Sequence, residues 1–359
     1  MRYRTLGATG IQVSELCLGT MMLGGWGNAD RGDCVRIVRR ALDAGVNFVD
    51  TADRYAIGES EEIVAEALRG RRDDVVLVTK FGNPMGSDAN ARGASRRYVV
   101  RALEASLRRL GTDHVDVYLL HRPDPRTGLE ETLDVLSDLV RGGKIRAFGT
   151  SNLPAHEHVR AAQLSAAGGY ERIRVEQPPY SLFVRSVERE LLPACARYGV
   201  GVMTYAPLNN GWLTGKYRLD AAPPSDGRLV RLTGWDPDAP AARAKLDLVG
   251  SLGELAQAGG VSMVHLAHAW ALRHPAVSSV IMGPRTMEQL DSALGAVDVE
   301  LPPDLLDRID ALVPAGSDVD PAEATWTLGS LEPAARRRGS AERDVFEVPE
   351  GDWRRPGAR

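Results

Sequence analysis

Four side chains that could share one proton-transfer site stand at, or a few residues beyond, the ends of short apolar runs. Asp50 lies in VNFVDT (46–51), Lys80 closes VVLVTK (75–80), His121 follows VDVYLL (115–120), and Tyr55 comes five residues after Asp50. An ammonium at the end of an apolar run needs a counter-charge, and Asp50 can supply it. A phenol beside that ammonium has its phenolate stabilised, so the Tyr55 pKa is expected to fall from about 10 towards working pH. That would make Tyr55 a general acid, with His121 hydrogen-bonding and orienting the same substrate oxygen. Singly, each residue has a plainer reading. Tyr55 is then a loop aromatic, His121 a satisfied core histidine, and Asp50–Lys80 a structural ion pair. Their joint occurrence favours a site. Other runs end in Ser151-Asn152, Gln177 and Tyr205.

The elements that must bring these ends together alternate along the chain. The apolar runs continue with IRAFGT (145–150), IRVEQ (173–177), VGVMTY (200–205) and VSSVIMG (277–283), and SELCLG (14–19) adds an eighth. Strands apolar on both faces suit a parallel sheet covered by helices. Helical patterns lie between them at 32–44, 96–110, 129–141, 154–167, 187–198, 262–274 and 286–297. This alternation predicts an α/β fold. No G-x-G-x-x-G follows the first strand, so a closed (β/α)8 TIM barrel is favoured over an open dinucleotide-binding sheet. In a barrel all the polar strand ends share one rim. Residues 2–13 read as a small N-terminal β-hairpin that plugs one end. Residues 206–240, after the seventh strand, carry many Pro and Gly and read as one long irregular loop. The expected division is a barrel over 1–313 and a loosely ordered tail over 314–359, where a substrate-covering flap is the sharper alternative.

Bulk properties narrow the function classes. Of 359 residues, 44 are Lys or Arg and 48 Asp or Glu, giving a net charge of −4 with the signs mixed along the chain, which argues against nucleic acid as a partner. Cys17, Cys34 and Cys195 are too dispersed for a disulfide framework or a zinc pattern. His265 and His268 lie three apart on a predicted helix with no third ligand in view, so no metal is expected. MRYRTLGATG is not a secretory leader, and no run of about 18 apolar residues offers a membrane span. A cytoplasmic location is expected.

With these motifs in place, the chain resembles the aldo-keto reductase superfamily, in particular the branch with voltage-gated potassium channel β-subunits and many bacterial reductases. GVNFVDTADRYAIGESEEIVAEAL (45–68), VVLVTKFG (75–82), VDVYLLHRPD (115–124), GGKIRAFGTSN (142–152), EQPPYSLFVR (176–185), YAPLNNGWLTGKY (205–217) and IMGPRTMEQLDSAL (281–294) carry the resemblance, from about Arg4 to Val313. It implies a catalytic tetrad of Asp50, Tyr55, Lys80 and His121. It implies that Ser151, Asn152 and Gln177 hold a nicotinamide carboxamide, with Tyr205 stacked on the ring. It also implies that the segment with Leu208, Gly211 and Lys216 wraps the pyrophosphate. Gly283, Arg285 and Gln289 would grip the adenosine end, and Arg285 is placed to pair with a 2′-phosphate, favouring NADP(H) over NAD(H). Two positions depart from the family pattern. Ser292 and Ala293 stand where Glu and Asn often contact adenine, and Ala56 stands where Gly or Ser commonly follows the tyrosine.

The expected activity is reduction of an aldehyde or ketone to an alcohol. Trp26, Tyr180 and Trp212 either line an apolar substrate pocket or pack in the core. The alternatives are an NADP-binding regulatory or partner-binding subunit with little turnover, and a dedicated biosynthetic reductase of a keto-sugar or ketone. A Schiff-base aldolase using Lys80 needs a depressed lysine pKa, which a nearby Asp50 opposes.

Overall fold

The computed structural model describes residues 1–323 apart from 219–220, 226 and 233–235, with only the backbone at 231–232. Eight parallel strands close into a barrel: β3 (Leu16–Gly19), β4 (Phe48–Asp50), β5 (Val76–Phe81), β6 (Val115–Leu120), β7 (Ile145–Ser151), β8 (Val175–Gln177), β9 (Gly201–Thr204) and β10 (Val277–Met282), with β10 pairing β3. Strands β1 (Tyr3–Thr5) and β2 (Gln12–Ser14) form the separate antiparallel hairpin. The helices are α1 (Arg31–Asp43), α2 (Glu59–Ala67), α3 (Arg96–Leu110), α4 (Leu129–Arg141), α5 (Ala155–Gly168), α6 (Leu191–Tyr198), α7 (Arg228–Leu232), α8 (Pro240–Ala258), α9 (Met263–Arg273), α10 (Met287–Leu294) and α11 (Pro303–Leu312). The chain is therefore a (β/α)8 TIM barrel with an N-terminal hairpin, as its alternating pattern predicts.

Successive strand side chains point to opposite faces, and this period sorts the apolar residues into two cores. Phe48, Val78, Val117, Leu119, Val175 and Met203 fill the barrel interior, sealed from below by Leu6 and Val13 of the hairpin segment. Their neighbours, such as Val49, Leu77 and Tyr118, face the helices in the larger outer core. The same period places the polar strand ends. Asp50 lies two residues past Phe48, Lys80 two past Val78, His121 two past Leu119, Gln177 two past Val175 and Tyr205 two past Met203. Each therefore continues an inward-facing row at the C-terminal mouth.

The hairpin turn reaches the floor closely. Gly7 has φ +53°, and a Cβ there would fall 2.2 Å from the Gly201 nitrogen, so only glycine fits.

Three expectations about elements change. The helix expected over 187–198 is a 3-10 turn at Ser186–Glu188 followed by α6, because Pro193 can sit in the first turn of a helix but not in its interior. The stretch 206–240 is not one structureless loop. It holds a 3-10 segment (Asn209–Thr214) and α7, and Pro240 opens α8 from a first-turn position that tolerates proline. After α11, residues 314–323 are tied to the barrel: Val319 N–H donates to Phe183 O at 2.9 Å and Arg185 N–H to Ser317 O at 2.9 Å. The rest of the expected tail, 324–359, lies outside the described residues.

Among the described residues, no helix is long and apolar enough to cross a membrane, and no cluster of His, Cys, Asp and Glu could hold a metal ion. His265 and His268 instead bind backbone carbonyls, of Ser292 and Val264, each at 2.8 Å.

Candidate active site

Lys80 is fully buried at the end of β5, and all three of its ammonium protons find acceptors. Nζ lies 2.7 Å from Asp50 Oδ2, 2.8 Å from Thr51 O and 3.0 Å from the Tyr55 hydroxyl. Asp50, 2% exposed, spends its other oxygen on Gln177 Nε2 at 2.9 Å. Tyr55 hangs in the turn after β4 with its ring over Lys80, 4.7 Å from Nζ to centroid. His121 meets the Tyr55 ring edge-on, centroids 5.7 Å apart. Its backbone N–H extends the β5–β6 ladder to Phe81 O at 2.8 Å, while its Nδ1 is buried without a hydrogen-bond partner.

Burial dominates the electrostatics. It pushes the Asp50 carboxyl up, against the pull of Lys80 and Gln177. For Lys80 burial disfavours the charge, but Asp50 and Tyr55 outweigh it and hold the ammonium above its ordinary value. This is the opposite of what a Schiff-base lysine requires. Burial, then the nearby Lys80 and Arg122, drives His121 well below the usual imidazole range, so the ring is neutral. The expected fall in the Tyr55 pKa is reversed. Loss of solvent raises it more than Lys80 lowers it, and Asp50 adds to the rise. The phenol therefore keeps its proton across the neutral range, and the ammonium at 3.0 Å is ready to stabilise the phenolate once that proton leaves.

The neighbouring strand ends join the same network. Ser151 Oγ donates to Gln177 O at 2.8 Å and accepts from Asn152 Nδ2 at 2.9 Å. Asn152 takes φ +64°, and its Oδ1 accepts the Tyr205 hydroxyl at 2.9 Å. Burial pushes Tyr205 up to about 12, so it too stays a phenol. Behind this loop, buried Glu176 accepts from Thr150 Oγ1 at 2.5 Å and from the Leu153 N–H at 3.2 Å, and lies 3.1 Å from His158 Nε2.

A profile of the aldo/keto reductase family matches residues 15–314. The chain belongs to the aldo/keto reductase family. It is 36% identical over 299 residues to aldo-keto reductase YhdN of Bacillus subtilis, covering 81% of this chain and 87% of that one. It is 38% identical over 323 residues to a probable voltage-gated potassium channel subunit beta of Oryza sativa, covering 87% and 97%. It is 32% identical to versiconal hemiacetal acetate reductase of Aspergillus parasiticus, covering 85% and 94%.

The remaining expected residues of this aldo/keto reductase fall into three places. The first is the segment after β9. Leu208 opens its 3-10 turn, Gly211 has φ +105°, and Lys216 is exposed with Nζ 5.3 Å above the Tyr217 ring. The segment is fastened from outside. Asn209 Nδ2 donates to Glu323 at 2.9 Å, and Glu323 pairs with buried Lys245 of α8 at 2.6 Å. The second place is the start of α10. Thr286 caps the helix, Gln289 Oε1 accepts the Arg285 N–H at 2.8 Å, and Gly283 is exposed. Asn28, from the loop before α1, donates to Arg285 O at 3.0 Å and joins the two regions.

The third group, the aromatic residues, divides. Trp26 comes to the site, its ring 6.3 Å from Tyr55. Trp212 packs inside the segment after β9, 5.7 Å from Tyr217. Tyr180 is placed elsewhere: its hydroxyl donates to Glu188 at 2.7 Å and its ring lies 4.8 Å from Trp270. The sequence reading missed Arg228 on α7. This mostly buried guanidinium is held below its ordinary range by lost solvation, against the opposing influence of Tyr55 and Tyr217. Nothing in a Pro- and Gly-rich stretch marks it beforehand.

Proposed function

We propose that this aldo/keto reductase reduces an aldehyde or ketone to its alcohol, with NADP(H) rather than NAD(H) as cofactor and Tyr55 as proton donor. The observation that carries the reading is the buried chain Asp50–Lys80–Tyr55, with contacts of 2.7 and 3.0 Å. A buried ion pair ending on a phenol that keeps its proton is a general acid supplied with a stabiliser for its conjugate base. The neutral His121 beside it can donate one hydrogen bond to a carbonyl oxygen held against the Tyr55 hydroxyl. Both groups aim at the atom where negative charge grows, so they act most strongly in the transition state.

The residues present fit a nicotinamide dinucleotide. Ser151, Asn152 and Gln177 retain amide and hydroxyl capacity for a carboxamide, and Tyr205 offers a half-buried ring. Lys216, Arg228 and the backbone amides around Leu208 and Gly211 suit the pyrophosphate. Gly283, Arg285 and Gln289 suit the adenosine end, where a guanidinium favours a 2′-phosphate. When bound, the cofactor supplies the hydride that reaches the carbonyl carbon. Trp26 forms one wall for the substrate, and a reducing, cytoplasmic setting suits three buried free cysteines. Two named relatives point to different roles, one a channel subunit and one a reductase. The complete Asp50–Lys80–Tyr55 chain favours turnover.

The test is cofactor oxidation at 340 nm over a panel of aldehydes, ketones and keto-sugars. Turnover with NADPH exceeding that with NADH is expected. Tight NADPH binding with no turnover on any carbonyl would instead favour a binding subunit.

A further inference from the structure

The opposite end of the barrel carries a second concavity, of about 280 Å³, beneath the starts of β7 and β8 and beside the hairpin turn. Three arginines line it, Arg146, Arg172 and Arg174, together with a single acid, Glu171. Ile11 of the hairpin segment and Val140 of α4 add apolar wall. Among the described residues none of the three guanidiniums forms an ion pair, whereas Arg141 at the end of α4 bridges Asp138. Arg146 makes one long hydrogen bond, 3.4 Å to Gly143 O, and adds a little to the lowering of the exposed Asp113, which is held down first by His114 at 2.7 Å.

The strand register explains why the charges crowd. Strands β7 and β8 pair Gly149 with Val175, and the segment before β8 runs on alongside β7, so that Arg146, Arg172 and Arg174 line one concavity. Arg174 is held in that register by its N–H to Phe148 O at 2.9 Å. Arg172 and Arg174 flank Ile173, which is buried in the outer core, and both line the concavity. Like charges gathered around one concavity repel one another. Arg146 and Arg172 are exposed and Arg174 is half-buried, so solvent screens part of this repulsion, and three guanidiniums beside one carboxylate leave the concavity net positive towards an anion.

We propose that this floor cavity binds a small organic anion, a phosphate monoester or carboxylate on a compact apolar body. Guanidiniums in a fork match such groups bidentately, and the cavity volume sits near the lower end of small-molecule sites, about 300 Å³. The Ile11–Val140 wall receives the apolar part. The site is remote from Tyr55, and occupancy acts on the fold rather than on the chemistry. It stabilises the folded state by mass action.

The experiment is calorimetric titration of the full chain with phenyl phosphate and with inorganic phosphate, with and without saturating NADPH. Saturable binding of phenyl phosphate that persists at saturating NADPH is expected. The Arg172→Ala/Arg174→Ala variant should bind it about 10-fold or more weakly, with carbonyl turnover unchanged. Without anion, that variant should melt no lower than the parent, since it removes repulsion. Absent binding, or equal binding by the variant, would overturn the site. Inorganic phosphate binding as tightly as phenyl phosphate would overturn its organic half. Failure of NADPH to bind would count against the proposed function and leave the floor titration readable.

Discussion

The two ends of the barrel treat left-handed backbone differently. At the floor, positive φ falls on glycine: Gly7, Gly10, Gly45, Gly111, Gly143, Gly169 and Gly199. At the mouth it also falls on residues with side chains. All six such residues, Ala56, Ile57, Asn152, Ala206, Asn209 and Asn210, follow β4, β7 or β9 among the described residues. A non-glycine residue there costs about 1–2 kcal/mol, less for Asn. The floor is built for an unstrained turn, while the mouth accepts strain where Tyr55, Asn152 and the segment after β9 must be held. Charge is arranged in contrast too. The fully buried Lys80 has its carboxylate at 2.7 Å, whereas Arg146, Arg172 and Arg174 of the floor cavity form no ion pair among the described residues.

The largest effect should come from Lys80→Met. It removes the stabiliser of the phenolate, and turnover should fall by about 10²–10³-fold. It also leaves Asp50 buried without its cation, a loss of about 3–5 kcal/mol in urea denaturation. Arg172→Met at the floor should leave both readings near those of the parent. Equal damage at the two positions would break the comparison.

Gly7→Ala comes next. A Cβ 2.2 Å from the Gly201 nitrogen should cost about 2–3 kcal/mol of stability with turnover per folded molecule unchanged.

Acid should weaken the whole molecule by a smaller, graded amount. The unfolded imidazole takes a proton near 6.5, about its ordinary value, whereas burial holds His268 down to about 4. The unfolded chain then binds more protons than the folded one, so stability is lost as pH falls through that window, by up to about 1.4 kcal/mol per unit for each such group. His121 acts in the same direction. The urea midpoint should fall between pH 6.5 and 4, and more shallowly in His268→Asn. An unchanged slope would remove His268 from the account.

The smallest change is Ala56→Gly. Relief of φ +47°, less the flexibility that glycine adds to the unfolded chain, should stabilise by about 0.5–1 kcal/mol. Destabilisation would show that the turn after Tyr55 is not strained.

Much of this was legible in the sequence because the strand period is simple. Once VVLVTK is a strand with Val78 inward, Lys80 must be inward too, and the same holds for Asp50 after Phe48. Proline and burial were harder to read. Pro240 is a breaker within a loop and an opener at a helix start, and only the residues packed after it decide which. The Tyr55 shift was anticipated from its charged neighbour, but desolvation, which no residue pattern displays, proved larger. For Tyr180 the sequence leaves pocket lining and core packing open, and only the folded contacts with Glu188 and Trp270 place it away from Tyr55. Arg228 lay unread because only a folded α7 brings it towards Tyr55.

The most direct test of the central claim is turnover of Tyr55→Phe on an aldehyde that the parent reduces, with NADPH affinity measured alongside by fluorescence titration. A drop of about 10²-fold or more at unchanged NADPH affinity is the expected result. Near-parental turnover would show that the hydroxyl held 3.0 Å from Lys80 is not the proton source.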